Sequence, residues 1–140
     1  MRVAAVLAAL AVLLAAAGCG GPSATSPESV VRAWSAALNR NDNEAAARFF
    51  AIGAVIVQNG RSTFPNHADA VYWNAALPCG GVLLSLHHSG IDVVAVFRLD
   101  ERPHHTCDAP GSVVSARFRV LHGLIVVWAQ TATPDTGTVI

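Results

Sequence analysis

General acid–base chemistry needs a titratable side chain in a pocket, with its pKa tuned by burial or by neighbours. In this chain the residues that could supply it are Tyr72, His87 and His88, and the carboxylate Asp92. Asp42 and Asp69 stand where helices begin, Asp100 and Glu101 stand at a strand end, and Asp92 lies beside a turn, where a solvated role is expected. Neighbouring strand residues point to opposite faces, so the alternation Val82, Leu84, Leu86, His88 places His88 inward, as a core or pocket histidine. No two of these groups are paired by spacing, and no catalytic residue is assigned.

The stretch His104-His105-Thr106-Cys107 carries imidazole and thiolate, the ligands of zinc and copper. Its spacing matches no specific metal motif, and a structural loop is the expected role. No metal and no cofactor are expected. Cys79 and Cys107 lack the CxxC spacing of thiol–disulfide exchange catalysts.

The third cysteine bears on the compartment. Arg2 precedes an apolar run from Val3 to Ala17, about 15 residues against the roughly 20 that span a bilayer. A basic start, a short apolar middle and small residues before a break describe a secretory signal. The break, Ala16-Ala17-Gly18-Cys19, resembles the lipobox of bacterial lipoproteins, with Ala where the first box position is usually Leu. That resemblance implies lipidation at Cys19; the plainer reading is an ordinary signal peptide cut near Ala17 or Gly18. Residues 20–27, rich in Gly, Ser, Thr and Pro, have little to bury and suit a flexible tether. The expected layout is a signal at 1–18, a lipidated tether at 19–26, one domain at 27–131 and a disordered tail at 132–140. The protein is then extracytoplasmic, anchored to the bacterial membrane by lipid. In an oxidising compartment Cys79 and Cys107 are expected to form a disulfide.

The whole sequence carries nine basic and nine acidic residues, all the basic ones arginine; without Arg2 the balance is eight against nine. Binding of nucleic acid rests on clustered Lys and Arg, so no nucleic-acid partner is expected. About 120 residues after the signal suit one core.

The elements that must position the candidate residues follow from caps and periodicity. Ser26, Pro27 and Glu28 start an amphipathic helix with Val30, Val31, Trp34 and Leu38 on one side. Asn41 or Asp42 caps a short second helix, with Glu44 completing a capping box with Asn41 and with Phe49 and Phe50 facing inward. A strand runs from Ala54 toward an Asn59-Gly60 turn. Asn66, with Asp69 three residues on, caps a third helix that runs to Leu77 and is stopped by Pro78. Two hairpins follow, turning at Ser89-Gly90 and at His122-Gly123, separated by a polar surface loop over residues 100–111. Ala116, Phe118 and Val120 alternate with Arg117 and Arg119, so the sheet is antiparallel and covered on one face.

Two helices, a strand, a third helix and four antiparallel strands closing on FRVLHGLIVVWAQ, after the opening ESVVRAWSAALNRNDNEAAARFF, resemble the nuclear transport factor 2-like superfamily and its SnoaL-like branch. The resemblance covers about 27–130. It implies an α+β, cone-shaped fold in which three N-terminal helices pack on a curved antiparallel sheet, with a pocket at the open end and a homodimer through the sheet as a possible assembly. Family members often read alanine-proline-aspartate-alanine where the second helix enters the first strand; here Ala51-Ile52-Gly53-Ala54 offers no carboxylate, which counts against an isomerase.

Trp34, Phe50, Tyr72, Trp73, His88, Phe97, Phe118 and Trp128 are the residues expected to line the pocket, and at least two of the three indoles should border one cavity. The expected function is a non-enzymatic module that binds a small apolar ligand or an envelope protein; the alternative is a SnoaL-like isomerase, cyclase or hydrolase using His88, Tyr72 or Asp92.

Overall fold

A computed structural model describes residues 25–132. The expected signal, Cys19, nearly all of the tether and the tail from 133 lie outside the described residues. Helix α1 (Pro27–Asn39) begins as its sequence demands: the Ser26 hydroxyl accepts the Ser29 N–H, Pro27 opens the first turn, and Glu28 sits at the positive end of the dipole. Its inward stripe is Val30, Val31, Trp34, Ala37 and Leu38. Asn41, in the left-handed region, turns the chain into α2 (Asn43–Ala47), where Asp42 rather than Asn41 is the cap and accepts the Ala45 N–H. Glu44 completes no box with Asn41; its carboxylate meets His67 and Arg48 instead.

Strand β1 (Phe50–Val57) turns through Asn59 and Gly60, both at positive φ, into the short β2 (Arg61–Thr63). Asn66 caps α3 (His67–Ala76) by accepting the Asp69 N–H. Then come β3 (Gly80–Ser89), β4 (Asp92–Asp100), β5 (Val113–Leu121) and β6 (Leu124–Thr131). The β5–β6 turn is His122-Gly123, with both residues at positive φ as a tight hairpin requires. The β3–β4 turn falls at Gly90-Ile91, one residue later than Ser89-Gly90, because Gly90 takes the positive-φ first position while Ser89 pairs with Asp92.

The six strands form one sheet in the order β2-β1-β6-β5-β4-β3. It is mixed rather than wholly antiparallel. The chain returns to β1 only with its last strand, and β6 then runs parallel to it, pairing Ile56 with Trp128 and Val57 with Ala129. The helices are not all N-terminal either, since α3 enters between β2 and β3. Register shifts interrupt β1 after Phe50, β3 at Leu84 and the β5–β6 pair after Arg119. Bulges bend a strand and raise its twist, which curves the sheet around the helices.

The core lies between α1, α3 and the concave face. Trp34 meets Phe50, Phe97 and Phe118 edge-on or tilted at centroid distances of 5.4–6.3 Å. A second line runs Phe50, Phe64, Trp73, Trp128. Burial of each such side chain stabilises the fold by about 1.5–3 kcal/mol. Among the described residues, no helix is long and apolar enough to cross a membrane.

Candidate functional site

At the end of the sheet away from the two hairpin turns, the helices and strands diverge around a pocket of about 340 Å³. Helix α1 contributes Trp34, Ser35 and Leu38. The strands contribute Phe97 and Leu99, then Val114, Ser115 and Ala116, then Trp128 and Gln130. The rim is Gln58, Asn59, Leu77 to Gly81, and Asp108. The walls are therefore mostly apolar, with a few neutral polar groups, the usual composition of a small-molecule site.

Each indole is fixed by the elements behind it. The Trp34 N–H donates to Asn74 Oδ1 at 2.9 Å, and the Asn74 amide donates in turn to the Ala70 carbonyl at 2.8 Å, so the wholly buried Asn74 is satisfied by α3 itself. Trp128 stacks edge-on against Trp73 at 5.1 Å. Its indole N–H is buried and has no acceptor among the described residues. Ser115, buried in β5, shares a 2.6 Å hydrogen bond with the Thr131 hydroxyl.

The rim is pinned by a cluster around the 100–111 loop. Cys79 and Cys107 form a disulfide with Cα atoms 4.5 Å apart. Arg102, only 3% exposed, reaches under the rim, where its partners are carbonyl and amide oxygens. Its Nη1 donates to the carbonyls of Asn74 and Leu77 at 2.9 and 3.1 Å, and its Nη2 donates to Asn41 and Asn43 side-chain oxygens at 2.6 and 2.5 Å. Burial lowers its pKa from the usual arginine value. His105 also meets Asn41 Oδ1, at 3.0 Å, and donates there, because an amide oxygen only accepts. Burial, then Arg102, then His104 lower the His105 pKa. Glu101 accepts the Cys107 N–H at 2.9 Å. Asn39 clamps β3 to α1 with hydrogen bonds to both the N–H and the carbonyl of Gly81. A Cβ on Gly80 would lie 2.5 Å from that Asn39 oxygen, so any larger residue there would displace the Asn39 side chain from Gly81.

Of the residues expected at the pocket, Trp34, Phe97 and Trp128 line it. Phe50, Phe118 and Trp73 pack behind these three instead, as the second layer of the core. Tyr72 does not belong to the pocket. It is 77% exposed, because α3 turns Ala70 and Asn74 inward and leaves Tyr72 on the opposite side. His88 is no core residue either: it sits at the hairpin end of β3, largely exposed and paired with the Glu28 carboxylate. Asp92 is not solvated but buried, held by Arg119 at 2.8 and 3.2 Å and by Arg117 at 3.6 Å on the face opposite Val93. Tyr72, His88 and Asp92 thus occupy three separate places, none in the pocket.

The only titratable side chain in the lining is Asp108, at the exposed rim, with Oδ1 3.4 Å from Cys79 Sγ. That sulfur is disulfide-bonded and carries no proton to donate. Cys79, Cys107 and Asp108 lie close enough together to suggest a metal site, but the two sulfurs are bonded to each other, which removes both thiolates. Arg102, Asn74, Gln58 and Gln130 escaped the sequence reading. Nothing in ERPHH marks an arginine for burial, and the rim depends on where strands end.

No protein-family model matches the sequence, and no curated protein matches it. Solved structures do match. A nuclear transport factor 2-like protein of unknown function from Cytophaga hutchinsonii superposes with a TM-score of 0.65 at 13% identity, covering 81% of this chain and 96% of that one. A candidate polyketide cyclase from Sinorhizobium meliloti gives 0.58 at 17%, covering 73% and 93%. A hypothetical protein of ketosteroid isomerase-like fold from Catenulispora acidiphila, in complex with trimethylamine, gives 0.56 at 16%, covering 79% and 90%. The chain has the nuclear transport factor 2-like fold.

Proposed function

We propose that this is a binding domain held outside the cytoplasmic membrane by lipid on Cys19, taking a small apolar ligand in the pocket between Trp34, Phe97 and Trp128. The observation that carries the reading is the pocket's composition. About 340 Å³ of open pocket is bordered by two indoles, a phenyl ring and aliphatic side chains, and the one titratable group of the lining, Asp108, stands at the rim. Acid–base catalysis needs a tuned group within hydrogen-bond reach of the reacting atom. The groups best suited to it are spent elsewhere: His88 on Glu28, Asp92 on two arginines. The cyclase and isomerase-like names of structural neighbours belong to those proteins, and a shared fold does not carry chemistry with it.

Titration of the full chain with a fatty acyl or sterol probe should shift tryptophan fluorescence saturably, and Trp128→Ala should abolish the response while the circular dichroism spectrum is kept. A broad apolar panel giving no saturable change overturns the ligand reading. Metabolic labelling with a palmitate analogue should tag the wild type and not Cys19→Ser; equal tagging overturns the anchor.

A further inference from the structure

The two hairpin turns lie side by side at one end of the sheet. Val93 of β4 pairs with Phe118 of β5, so the Gly90-Ile91 turn comes level with the last residues of β5, and Leu121 pairs with Leu124 across the neighbouring turn. Three large aliphatic side chains are exposed there: Ile91 at 74%, Leu121 at 52% and Leu124 at 38%. Among the described residues no helix covers them, and exposed apolar groups clustered at one place mark an interaction surface.

The start of the described chain is at the same end. A Cβ on Gly123 would lie 3.9 Å from the Thr25 Cβ, and Glu28, in the first turn of α1, reaches His88 near the β3–β4 turn. Between Cys19 and Thr25 stand residues 20–24, a length that spans at most about 20 Å fully extended. The carboxylates of this end are already paired, Glu28 with His88 and Asp92 with two arginines. They leave no unpaired negative charge beside the aliphatic tips.

We propose that Ile91, Leu121 and Leu124 form a membrane-docking surface that seats on the bilayer in which the Cys19 lipid is inserted; the inference rests on that anchoring. Shallow insertion of a few aliphatic side chains is weak by itself, but a short tether holds the surface at an effective concentration near the millimolar range. The pocket is at the far end, where β4 ends at Leu99 and β5 begins at Val114. Along the nine residues of β5 that is a separation of about 27 Å. Docking therefore points the pocket away from the lipid, so its ligand arrives from the aqueous side and not by lateral diffusion in the bilayer.

With Cys19 acylated and Cys79 bonded to Cys107, one introduced cysteine is a unique labelling site. The acylated full chain is placed in vesicles of phosphatidylethanolamine and phosphatidylglycerol, carrying an environment-sensitive fluorophore at Ile91→Cys or Leu124→Cys, or at Asn59→Cys on the pocket rim as the control. Brominated acyl chains should quench the tip labels at least threefold more than the rim label, and the excess should vanish in an Ile91→Cys chain that also carries Leu121→Ser and Leu124→Ser. Equal quenching at tip and rim overturns the inference. Tip labels that become dry without vesicles, as protein concentration rises, overturn it in favour of a second copy of the chain. Intact mass on the same sample separates the two failures. A chain without acyl groups removes the anchor and the inference together, whereas an acylated chain with wet tips removes the inference alone.

Discussion

Arg102→Met tests whether the buried guanidinium holds the pocket rim. Methionine keeps much of the aliphatic stem and deletes four hydrogen bonds, two of them to the Asn74 and Leu77 carbonyls at the end of α3. A buried acceptor left unpaired costs about 1–3 kcal/mol, whereas the half-buried amides of Asn41 and Asn43 regain water. Against the loss stands the cost of desolvating the guanidinium, which methionine does not carry. The balance is a destabilisation of about 2–4 kcal/mol, a large part of the stability of a domain this size. Urea denaturation followed by circular dichroism gives the global figure. Amide exchange should rise locally at 77–81 and 101–108, and the fluorescence response to the acyl probe should weaken, because Leu77, Pro78 and Asp108 line the pocket. A loss below about 1 kcal/mol, with unchanged exchange at 77–81, would show that the disulfide alone holds the rim and refute the reasoning.

Replacing both Cys79 and Cys107 by serine should cost about 3.6 kcal/mol on the chain-entropy model for a separation of 28 residues, read as a urea midpoint shift from the oxidised wild type that thiol treatment of the wild type reproduces and thiol treatment of the variant leaves unchanged. Combined with Arg102→Met the losses should be non-additive, since both devices tie one loop, and a double-mutant cycle measures the coupling. His105 gives a pH signature: its folded pKa is lowered, by burial first, so its contribution is intact above the unfolded value near 6.5 and is lost as pH falls through the folded value. His105→Gln should flatten that limb of the stability–pH curve in thermal melts between pH 5 and 7, and an unchanged slope would remove His105 as its source.

The fold was legible because its signals are local. Ser26, Asp42 and Asn66 each accept the N–H three residues on, as a cap must, and His122-Gly123 has the two positive φ angles of its hairpin. What failed was periodicity carried across a bulge. The alternation puts Val82 and Leu84 inward with Leu86 and His88, but the register shift at Leu84 puts Leu83 opposite Phe97 and Leu86 opposite Ala95, leaving Val82 and Leu84 exposed. His88 does sit opposite the buried Val93, so its register is inward. It is exposed at the hairpin end of β3, where its ring meets Glu28 in the first turn of α1. Tyr72 failed for another reason. Helix α3 is apolar around much of its circumference, so no stripe tells which face is buried; the inward face carries Ala70 and Asn74, whose side-chain oxygen accepts the Trp34 N–H.

The same accounting limits what the pocket can recognise. Buried polar groups must be paired, and here Asn74 serves Trp34, Ser115 serves Thr131, Asp92 serves two arginines and Arg102 serves the rim. Among the described residues, the buried side-chain atoms left without a partner are Arg102 Nε and the Trp128 indole N–H, and only Trp128 belongs to the pocket lining. An unpaired buried donor costs about 1–3 kcal/mol, and the Trp128 N–H is closed to solvent, so a ligand acceptor gains from it only where the indole turns to meet the ligand. Selection would then rest on apolar shape plus one acceptor, such as a carbonyl or ether oxygen. On that argument Trp128→Phe, which keeps an aromatic wall and deletes the donor, should bind a pure alkyl probe as the wild type does and lose about five- to tenfold for its keto analogue. Equal losses for both probes would place the donor outside the recognition and leave the pocket selecting by shape alone.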